Sequence, residues 1–319
     1  MKRQFFIKSE HISHPQYGKY PGARSVEEMI ERGLVLLDKP SGPTSHQVTA
    51  WVKRILNIDK AGHSGTLDPK TSGLLLIALN KSTKAMPVLK GLDKEYITVI
   101  YLHEEVEKEK LEERLEEFRG EIKQVPPKKS AVKRQERKRM VKELKLLERK
   151  GQKLLIRVSC EAGTYIRKLA HDLGESLGVG AHMKELRRTR IGPFSVEDAI
   201  SLYDLKDDYV FYKEGKKDDI RKDILPVEMT AEACKVVTVK DTAVESLCQG
   251  APLGVGGLCH VEKNIEEEDR IAILSLKGEL IAIGVAEMTG QEMRDRKDAK
   301  AVSLKNVIMD RGTYPKGWK

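Results

Sequence analysis

The sequence lacks the patterns that mark several common protein classes. No apolar run approaches the ~20 residues that a membrane-spanning helix needs, and the first 19 residues contain no apolar core typical of a secretory signal. The four cysteines form no C-x-x-C pair, which argues against a zinc knuckle or a redox dithiol and is typical of buried thiols in a reducing cytoplasm. A P-loop and clusters of metal-ligating residues are also missing. We therefore expect a cytoplasmic protein.

The composition favours a globular protein that binds a polyanion. A chain of 319 residues is long enough for about two domains, and 39% hydrophobic with 34% charged residues is typical of globular proteins. The formal net charge of +9 points to an anionic partner, of which nucleic acid is the commonest. The charge alone does not show which polyanion is bound.

A glycine-punctuated turn at residues 62–73, with the sequence GHSGTLDPKTSG, is the first candidate site. It separates a predicted amphipathic helix at 44–58 from a continuous apolar run at 74–79, so its side chains are held at a surface. Asp68 lies at the tip of this turn, with the imidazole of His63 nearby. A common alternative is that an aspartate before proline in such a turn only caps backbone N–H groups.

Three motifs together favour the catalytic interpretation. The segments DKPSGPTSHQV (38–48), GHSGTLDP (62–69) and GTYIRKLAHDLG (163–174) stand in the order and rough spacing of the TruB/dyskerin pseudouridine synthases, which this chain resembles. In that family the aspartate of the turn is the essential catalytic residue, which corresponds to Asp68 here. The family usually has valine or alanine, then threonine, before the last glycine, whereas this chain has Thr71-Ser72-Gly73; serine keeps the hydroxyl. The resemblance implies no metal or organic cofactor.

The resemblance assigns four further residues to the substrate pocket. On residue type alone, Tyr96 at the start of a predicted strand (95–103) is a packing residue. Its Lys-Glu-Tyr context resembles the family's second motif, in which the ring stacks on the target base and assists proton removal. Tyr165 and Leu186 belong to the same motifs and would line the uracil pocket, and His63 would help to hold a flipped nucleotide.

Arg167 is expected to pair with Asp68. A cation in the first turn of a helix opposes the helix dipole, so Arg167 needs an anionic partner. A buried arginine–carboxylate pair would keep the acid ionised. The alternative is an ordinary surface ion pair.

The segment at 128–145 has the largest excess of positive charge in the chain, with nine basic residues and two glutamates. A solvated helical face usually mixes positively and negatively charged side chains. The net charge of +7 in this segment therefore favours contact with RNA phosphates. In the family a mobile thumb loop that closes on RNA lies here, at about residues 126–146. The predicted phosphate contacts are Lys133, Arg134, Arg137, Lys138 and Arg139, and, as an alternative to structural salt bridges, Arg187, Arg188 and Arg190.

The two ends of the chain differ from the middle. Short strands divided by glycines over 236–309 predict a small β-barrel, which resembles a PUA RNA-binding domain with Gly250 and Ala251 among its RNA contacts. The ending at 309–318 resembles the archaeal and eukaryotic dyskerin-like branch. Residues 1–30 taken alone are typical of a partly disordered tail, whereas the resemblance implies that they pack on the C-terminal domain.

These expectations combine into one architecture and function. We expect an α+β pseudouridine synthase fold, with a mixed, mostly antiparallel sheet and flanking helices, over residues 31–230, an N-terminal extension over 1–30 and a PUA barrel over 231–319. The resemblance implies RNA-guided isomerisation of uridine in rRNA, and also in tRNA, by the catalytic subunit of an archaeal box H/ACA ribonucleoprotein. Its partners would be guide RNA, substrate RNA and small accessory proteins of Nop-type, Gar-type and kink-turn-binding kinds.

Two other functions remain open from the sequence. One is a stand-alone tRNA pseudouridine synthase acting at the T-loop uridine, and the other is a non-catalytic scaffold for RNA assembly. The chemistry is open as well, because the acid could attack C1′ directly or assist glycosidic cleavage through a glycal-like route.

Overall fold

The computed structural model describes residues 3–126, 135–216 and 219–316. Within these ranges the strands are β1 (Phe5–Ile7), β2 (Gly33–Lys39), β3 (Ala61–His63), β4 (Ser72–Leu79), β5 (Lys94–Leu102), β6 (Gly120–Gln124), β7 (Arg137–Lys150), β8 (Lys153–Cys160), β9 (Ala181–Ile191), β10 (Phe194–Ser195), β11 (Leu225–Pro226), β12 (Lys235–Val239), β13 (Leu253–Gly254), β14 (Leu258–Glu262), β15 (Arg270–Leu274), β16 (Leu280–Ala286) and β17 (Lys300–Val307). The helices are α1 (Val26–Glu31), α2 (Ser45–Ile55), α3 (Met86–Lys90), α4 (Lys108–Glu117), α5 (Ile166–Leu177), α6 (Leu202–Lys213), α7 (Ile220–Asp223), α8 (Asp241–Cys248) and α9 (Gly290–Asp295).

The strands form two mixed sheets that are mostly antiparallel. The larger sheet has the order β11-β2-β4-β9-β5-β8-β7-β6, with β10 pairing β9 and β3 pairing β4. The smaller sheet has the order β1-β14-β12-β15-β16-β17-β13. Parallel pairing occurs between β4 and β9 and between β12 and β15. The predicted α+β fold class is therefore confirmed.

The apolar run at 74–79 forms most of β4, a buried strand inside the larger sheet. This part of β4 is buried along its whole length, because β2 pairs along one edge, β3 pairs with residues 77–79 on the other, and apolar side chains pack on both faces. Helix α2 lies within the predicted range 44–58 and is capped by Thr44, whose hydroxyl accepts from the Gln47 N–H in a reciprocal capping box. Val48 and Val52 of α2 are buried, whereas Trp51, which has the same helical spacing, is exposed.

The stretch predicted as a mobile loop is partly a strand. Residues 137–146 belong to β7, which forms a hairpin with β8. Val141 and Leu144 are buried in the apolar core while most of the charged side chains of β7 are exposed or half-buried. The loop prediction is therefore wrong for these residues, since their apolar side chains anchor an otherwise charged strand. Lys133 and Arg134 lie outside the described residues.

The N-terminal segment lies against the smaller sheet. Strand β1 pairs with β14, and the buried Lys277 ammonium donates to the carbonyl oxygens of Pro15 (3.1 Å) and Gly18 (3.4 Å) as well as to that of Tyr17. Glu279 accepts from the backbone N–H of Lys19 at 2.9 Å. An ammonium group surrounded by carbonyl oxygens is well matched, because each oxygen replaces a hydrogen bond that the cation made to water.

Ion pairs and an apolar cluster join the two sheets. Arg24 and Glu228 form a buried bidentate pair with both contacts at 2.8 Å, and Glu228 also accepts from the Leu280 N–H of β16. Asp310 accepts from both Arg32 and Lys81. Buried apolar residues of the smaller sheet, including Ile283, form a cluster with residues of the segments that connect the strands of the larger sheet, including Val88 of α3. The domain boundaries given above stay predictions.

All four cysteines are free thiols in the protein interior, as predicted. None of the helices in the described ranges is long and apolar enough to cross a membrane.

Replacing Lys277 tests how the N-terminal segment is held. In Lys277→Met the carbonyl groups of residues 15, 17 and 18 lose their shared donor, so we expect trypsin to cleave after Lys19 about tenfold faster in the intact protein. Cleavage sites are mapped by mass spectrometry over a time course. Lys305→Met, at an exposed lysine of the same sheet, is the control. Equal cleavage rates in the two variants would contradict this role.

Candidate active site

The loop that carries Asp68 connects β3 to β4 and is fixed from behind by Ser45. The buried Ser45 hydroxyl accepts from the Leu67 N–H at 2.8 Å and donates to the Leu67 carbonyl at 3.1 Å. Leu67 itself is buried, while the next residue, Asp68, is exposed. The loop therefore holds its backbone in the protein and presents the carboxylate to solvent.

A second set of contacts holds the residue after the acid. The Pro69 carbonyl accepts from the Gly42 N–H at 2.8 Å and from the Lys39 ammonium at 3.3 Å. Lys39 is fully buried and also donates to the Pro40 carbonyl, and burial together with the nearby Arg188 charge lowers its pKa. The end of β2 and the turn that follows it thus contact the Asp68 loop directly.

Arg188 lies beneath the loop rather than on the RNA-facing surface. It is only 1% exposed, and its guanidinium donates to the carbonyl oxygens of Leu74 (2.8 Å) and Gly65 (3.2 Å). The predicted phosphate contact is therefore wrong for Arg188, because its donors are already directed at the backbone of β4 and the loop. Gly73 permits this packing, since a Cβ there would lie 2.2 Å from the Arg188 carbonyl oxygen and its φ is +103°.

The structure brings Asp68 and Arg167 into direct contact. The Arg167 guanidinium donates to Oδ2 of Asp68 from the first turn of α5. The expectation of a buried pair is wrong, because the two side chains remain 52% and 54% exposed. A solvent-exposed ion pair contributes only about 0–1 kcal/mol to stability. Its value here is geometric, since Arg167 limits the directions in which the carboxylate can point.

The other predicted pocket residues lie on the elements next to this pair. Tyr96 of β5 is half-buried, and burial raises the pKa of its hydroxyl while a hydrogen bond with Arg188 opposes the rise. Leu186 of β9 packs on the same apolar cluster as Tyr96. Tyr165 is the residue immediately before α5. The Thr164 hydroxyl does not cap that helix and donates to the Glu161 carbonyl at 2.8 Å.

His63 is a neutral imidazole at pH 7. It is half-buried and makes an edge-on contact with His46, with ring centroids 4.9 Å apart. Burial, followed by electrostatic interactions with His46, Lys90 and Arg188, lowers the pKa of His63 to about 4. Its Nδ1 accepts from the Gly65 N–H at 3.4 Å, so the ring also contacts the catalytic loop.

The basic side chains predicted to contact RNA differ in whether they pair with a carboxylate of the protein. Arg187 makes a bidentate pair with Asp38 at 2.7 and 2.9 Å, and Lys138 pairs with Glu121 at 2.9 Å. Arg139 lies 3.6 Å from Glu161. Among the other predicted contacts, Arg137 is half-buried on β7 and Arg190 is exposed on β9.

Gly250 and Ala251, the predicted RNA contacts of the C-terminal part, are far from Asp68 in sequence. Gly250 is exposed just after α8, with a φ of +94°, and Ala251 is half-buried before β13.

Sequence reasoning missed Ser45 as a support of the acid, because a serine at the start of a helix usually acts as its cap. Across the described parts of the chain, no three His, Cys, Asp or Glu side chains gather in a way that could hold a metal ion.

Family models match almost the whole chain. The TruB family pseudouridylate synthase N-terminal domain matches residues 53–166, and the tRNA pseudouridylate synthase B C-terminal domain matches 167–232. A PUA domain matches 235–308, and a DKCLD (NUC011) domain matches 1–49.

Individual proteins are similar over the same length. A probable tRNA pseudouridine synthase B of Methanopyrus kandleri is 50% identical over 99% of this chain and 94% of that protein. A chain in the crystal structure of a Cbf5-Nop10-Gar1 complex is 47% identical, with a TM-score of 0.93 over 99% of this chain and 97% of that one. A chain in an H/ACA RNP bound to a substrate RNA containing 2'-deoxyuridine is 45% identical, with a TM-score of 0.92 over 100% and 98%.

Removing the Ser45 hydroxyl tests how the acid is supported. In Ser45→Ala the buried Leu67 N–H and C=O lose their partner, which costs about 1–3 kcal/mol. We expect amide hydrogen exchange in the loop at 64–71 to accelerate about 10- to 100-fold. Ser41→Ala, which removes one exposed contact to the Lys70 carbonyl, should leave exchange near the wild-type rate. Unchanged protection in Ser45→Ala would show that the loop is held elsewhere.

Proposed function

The chain belongs to the TruB family of pseudouridylate synthases, and from that premise we propose that it isomerises uridine to pseudouridine in RNA as the catalytic subunit of a box H/ACA ribonucleoprotein. The observation that carries the proposal is the contact between Arg167 and an exposed Asp68 at the tip of a fixed loop. The similar chains in an H/ACA RNP with substrate RNA and in a Cbf5-Nop10-Gar1 complex support the guided form of the reaction. On this proposal the protein is cytoplasmic.

The reaction requires one ionised acid close to the sugar of a flipped nucleotide. The N1–C1′ bond breaks, the uracil rotates, and C5 bonds to C1′ while its proton leaves and N1 gains one. Asp68 supplies the carboxylate, either by attacking C1′ or by assisting cleavage through a glycal-like intermediate. Arg167 holds that carboxylate in one direction, which lowers the entropic cost of reaching the reactive geometry.

The pocket residues then act on the base. Tyr96 stacks on the uracil. Burial raises the pKa of its hydroxyl and the Arg188 guanidinium opposes that rise, so a minor phenolate form beside Arg188 accepts the C5 proton and becomes the neutral phenol. Tyr165 and Leu186 line the uracil site. His63, neutral at pH 7, holds the flipped nucleotide by hydrogen bonding without adding charge.

Basic side chains around the site bind RNA phosphates. The proposed contacts on the catalytic part, taken as residues 31–230, are Lys133, Arg134, Arg137, Lys138, Arg139 and Arg187. Gly250 and Ala251, in the PUA part taken as 231–319, contact the guide RNA and so set its distance from Asp68. The N-terminal extension of residues 1–30 packs on the PUA part.

A second candidate function is supported by the names of the relatives. The protein from Methanopyrus kandleri is a probable tRNA pseudouridine synthase B, which suggests modification of tRNA without a guide. The two functions use the same Asp68 and differ only in how the uridine is chosen. Purified protein incubated with tRNA alone, followed by mapping of modified uridines, separates them.

Asp68→Asn tests the chemistry directly. The variant keeps the shape of the side chain but lacks the carboxylate, so pseudouridine formation should fall at least about 1,000-fold while RNA affinity stays near wild type. The protein is assembled with guide RNA, substrate RNA and accessory proteins of the Nop10 and Gar1 kinds, and product is counted by nucleoside mass spectrometry. Asp172→Asn, which removes a carboxylate paired with Lys168 on α5, is the matched control. Substantial product from Asp68→Asn, or none from wild type, would contradict the proposal.

A further inference from the structure

Helix α5 begins without a cap of its own. Tyr165, at the N-cap position, makes no side-chain capping bond, and the first turn contains no acidic residue. Instead the turn carries the cation Arg167, which opposes the helix dipole. The start of this helix therefore needs support from another part of the chain.

A buried glutamine on a different strand supplies that support. Gln124, the last residue of β6, is 2% exposed. Its Oε1 accepts from the Tyr165 N–H at 2.9 Å, and its Nε2 donates to the Tyr165 carbonyl at 3.2 Å. One planar carboxamide thus fixes both polar groups of a single backbone residue.

The size of the competing interactions shows why this contact matters. The Asp68–Arg167 pair is about half exposed on both sides, so water screens it and it does not hold the backbone of α5 in place. The Gln124 amide is buried, so water does not readily replace the hydrogen bonds that it makes to the Tyr165 backbone. The stronger, buried contact lies two residues before the guanidinium that orients the acid.

We propose that Gln124 is a positioning residue for the isomerisation: its amide fixes the Tyr165 backbone and thereby places both the Tyr165 ring and the Arg167 guanidinium. The proposal rests on the function proposed above. It goes beyond that function because both hydrogen bonds of the Gln124 amide go to the backbone of Tyr165, so Gln124 acts through the start of α5 and not on the reacting atoms. A displacement of about 1 Å at such a position is enough to slow an oriented reaction by about 100-fold.

The amide chemistry makes the role specific to glutamine. Leucine fills a similar volume but neither donates nor accepts a hydrogen bond. An ionised glutamate accepts from the Tyr165 N–H but repels its carbonyl, whereas a protonated glutamate donates to that carbonyl as the amide does. Burial raises the pKa of a carboxyl group, so Gln124→Glu should recover its donor as the pH falls. Arg137 lies opposite Gln124 on β7 in the strand register.

The test measures the rate of a single turnover in the assembled, RNA-saturated complex. We expect Gln124→Leu to lower this rate about 10- to 100-fold while the Kd for RNA changes less than about twofold. For Gln124→Glu, the rate relative to wild type should rise as the pH is lowered from about 8 to about 6. Gln152→Leu is the matched control, because Gln152 bridges the Tyr101 hydroxyl and the His103 carbonyl at another hairpin of the same sheet. It should react at the wild-type rate.

The outcomes separate this proposal from the one that it rests on. If wild type forms pseudouridine and Gln124→Leu reacts as fast as Gln152→Leu, the positioning role is overturned and the enzymatic function stands. The positioning role is also overturned if the relative rate of Gln124→Glu is independent of pH. If Gln124→Leu does not fold, the pH response of the near-isosteric Gln124→Glu decides alone. If wild type forms no pseudouridine, both proposals are overturned.

Discussion

A buried guanidinium holds the catalytic loop, the central strand and the pocket tyrosine together. No carboxylate among the described residues lies within ion-pair distance of Arg188, which therefore relies on the Leu74 and Gly65 carbonyls and on Tyr96. Removing a charge from water costs several kcal/mol unless all its donors are satisfied. Displacing the loop would take the Gly65 carbonyl away from that buried cation, so the loop is held in register with β4 and β9.

The same cation sets the electrostatics behind the loop. After burial, the charge of Arg188 is a cause of the lowered pKa of Lys39, of His63 and of Lys94, whose pKa falls to about 8. The interior side of the site is thus positive and nearly closed to water. Its outer side is open, since Asp68 and Arg167 remain about half exposed. The positive interior holds the loop rigidly, while the exposed side of Asp68 leaves room for a bulky, negatively charged RNA to bind.

Local patterns predicted much of the fold. The start of helix α2 near residue 44 and the apolar run in β4 each depend on residues close in sequence, so sequence reasoning located them. The net charge of the basic segment indicated a loop, whereas Val141 and Leu144 are buried and anchor residues 137–146 in a strand. Trp51 falls on the helical stripe of α2 yet is exposed, since which part of a stripe is covered depends on the packing of distant elements.

The site was only partly visible in the sequence. Asp68 and Arg167 were paired through family resemblance, and their exposure depends on the final packing of α5 against the loop. In the run of arginines at 187–190, charge alone does not show which side chain points inward. That choice follows from the register between β5 and β9, which shifts between Glu95 and Tyr96. Such shifts are set by contacts between strands far apart in sequence.

The central claim is that Arg167 acts on the reaction by orienting the Asp68 carboxylate. The most direct measurement compares single-turnover rates of Arg167→Lys and Arg167→Gln in the RNA-saturated complex. We expect lysine to retain part of the rate and glutamine to lower it at least about 100-fold, with RNA affinity nearly unchanged. A glutamine variant that reacts at the wild-type rate would contradict an orienting role for Arg167.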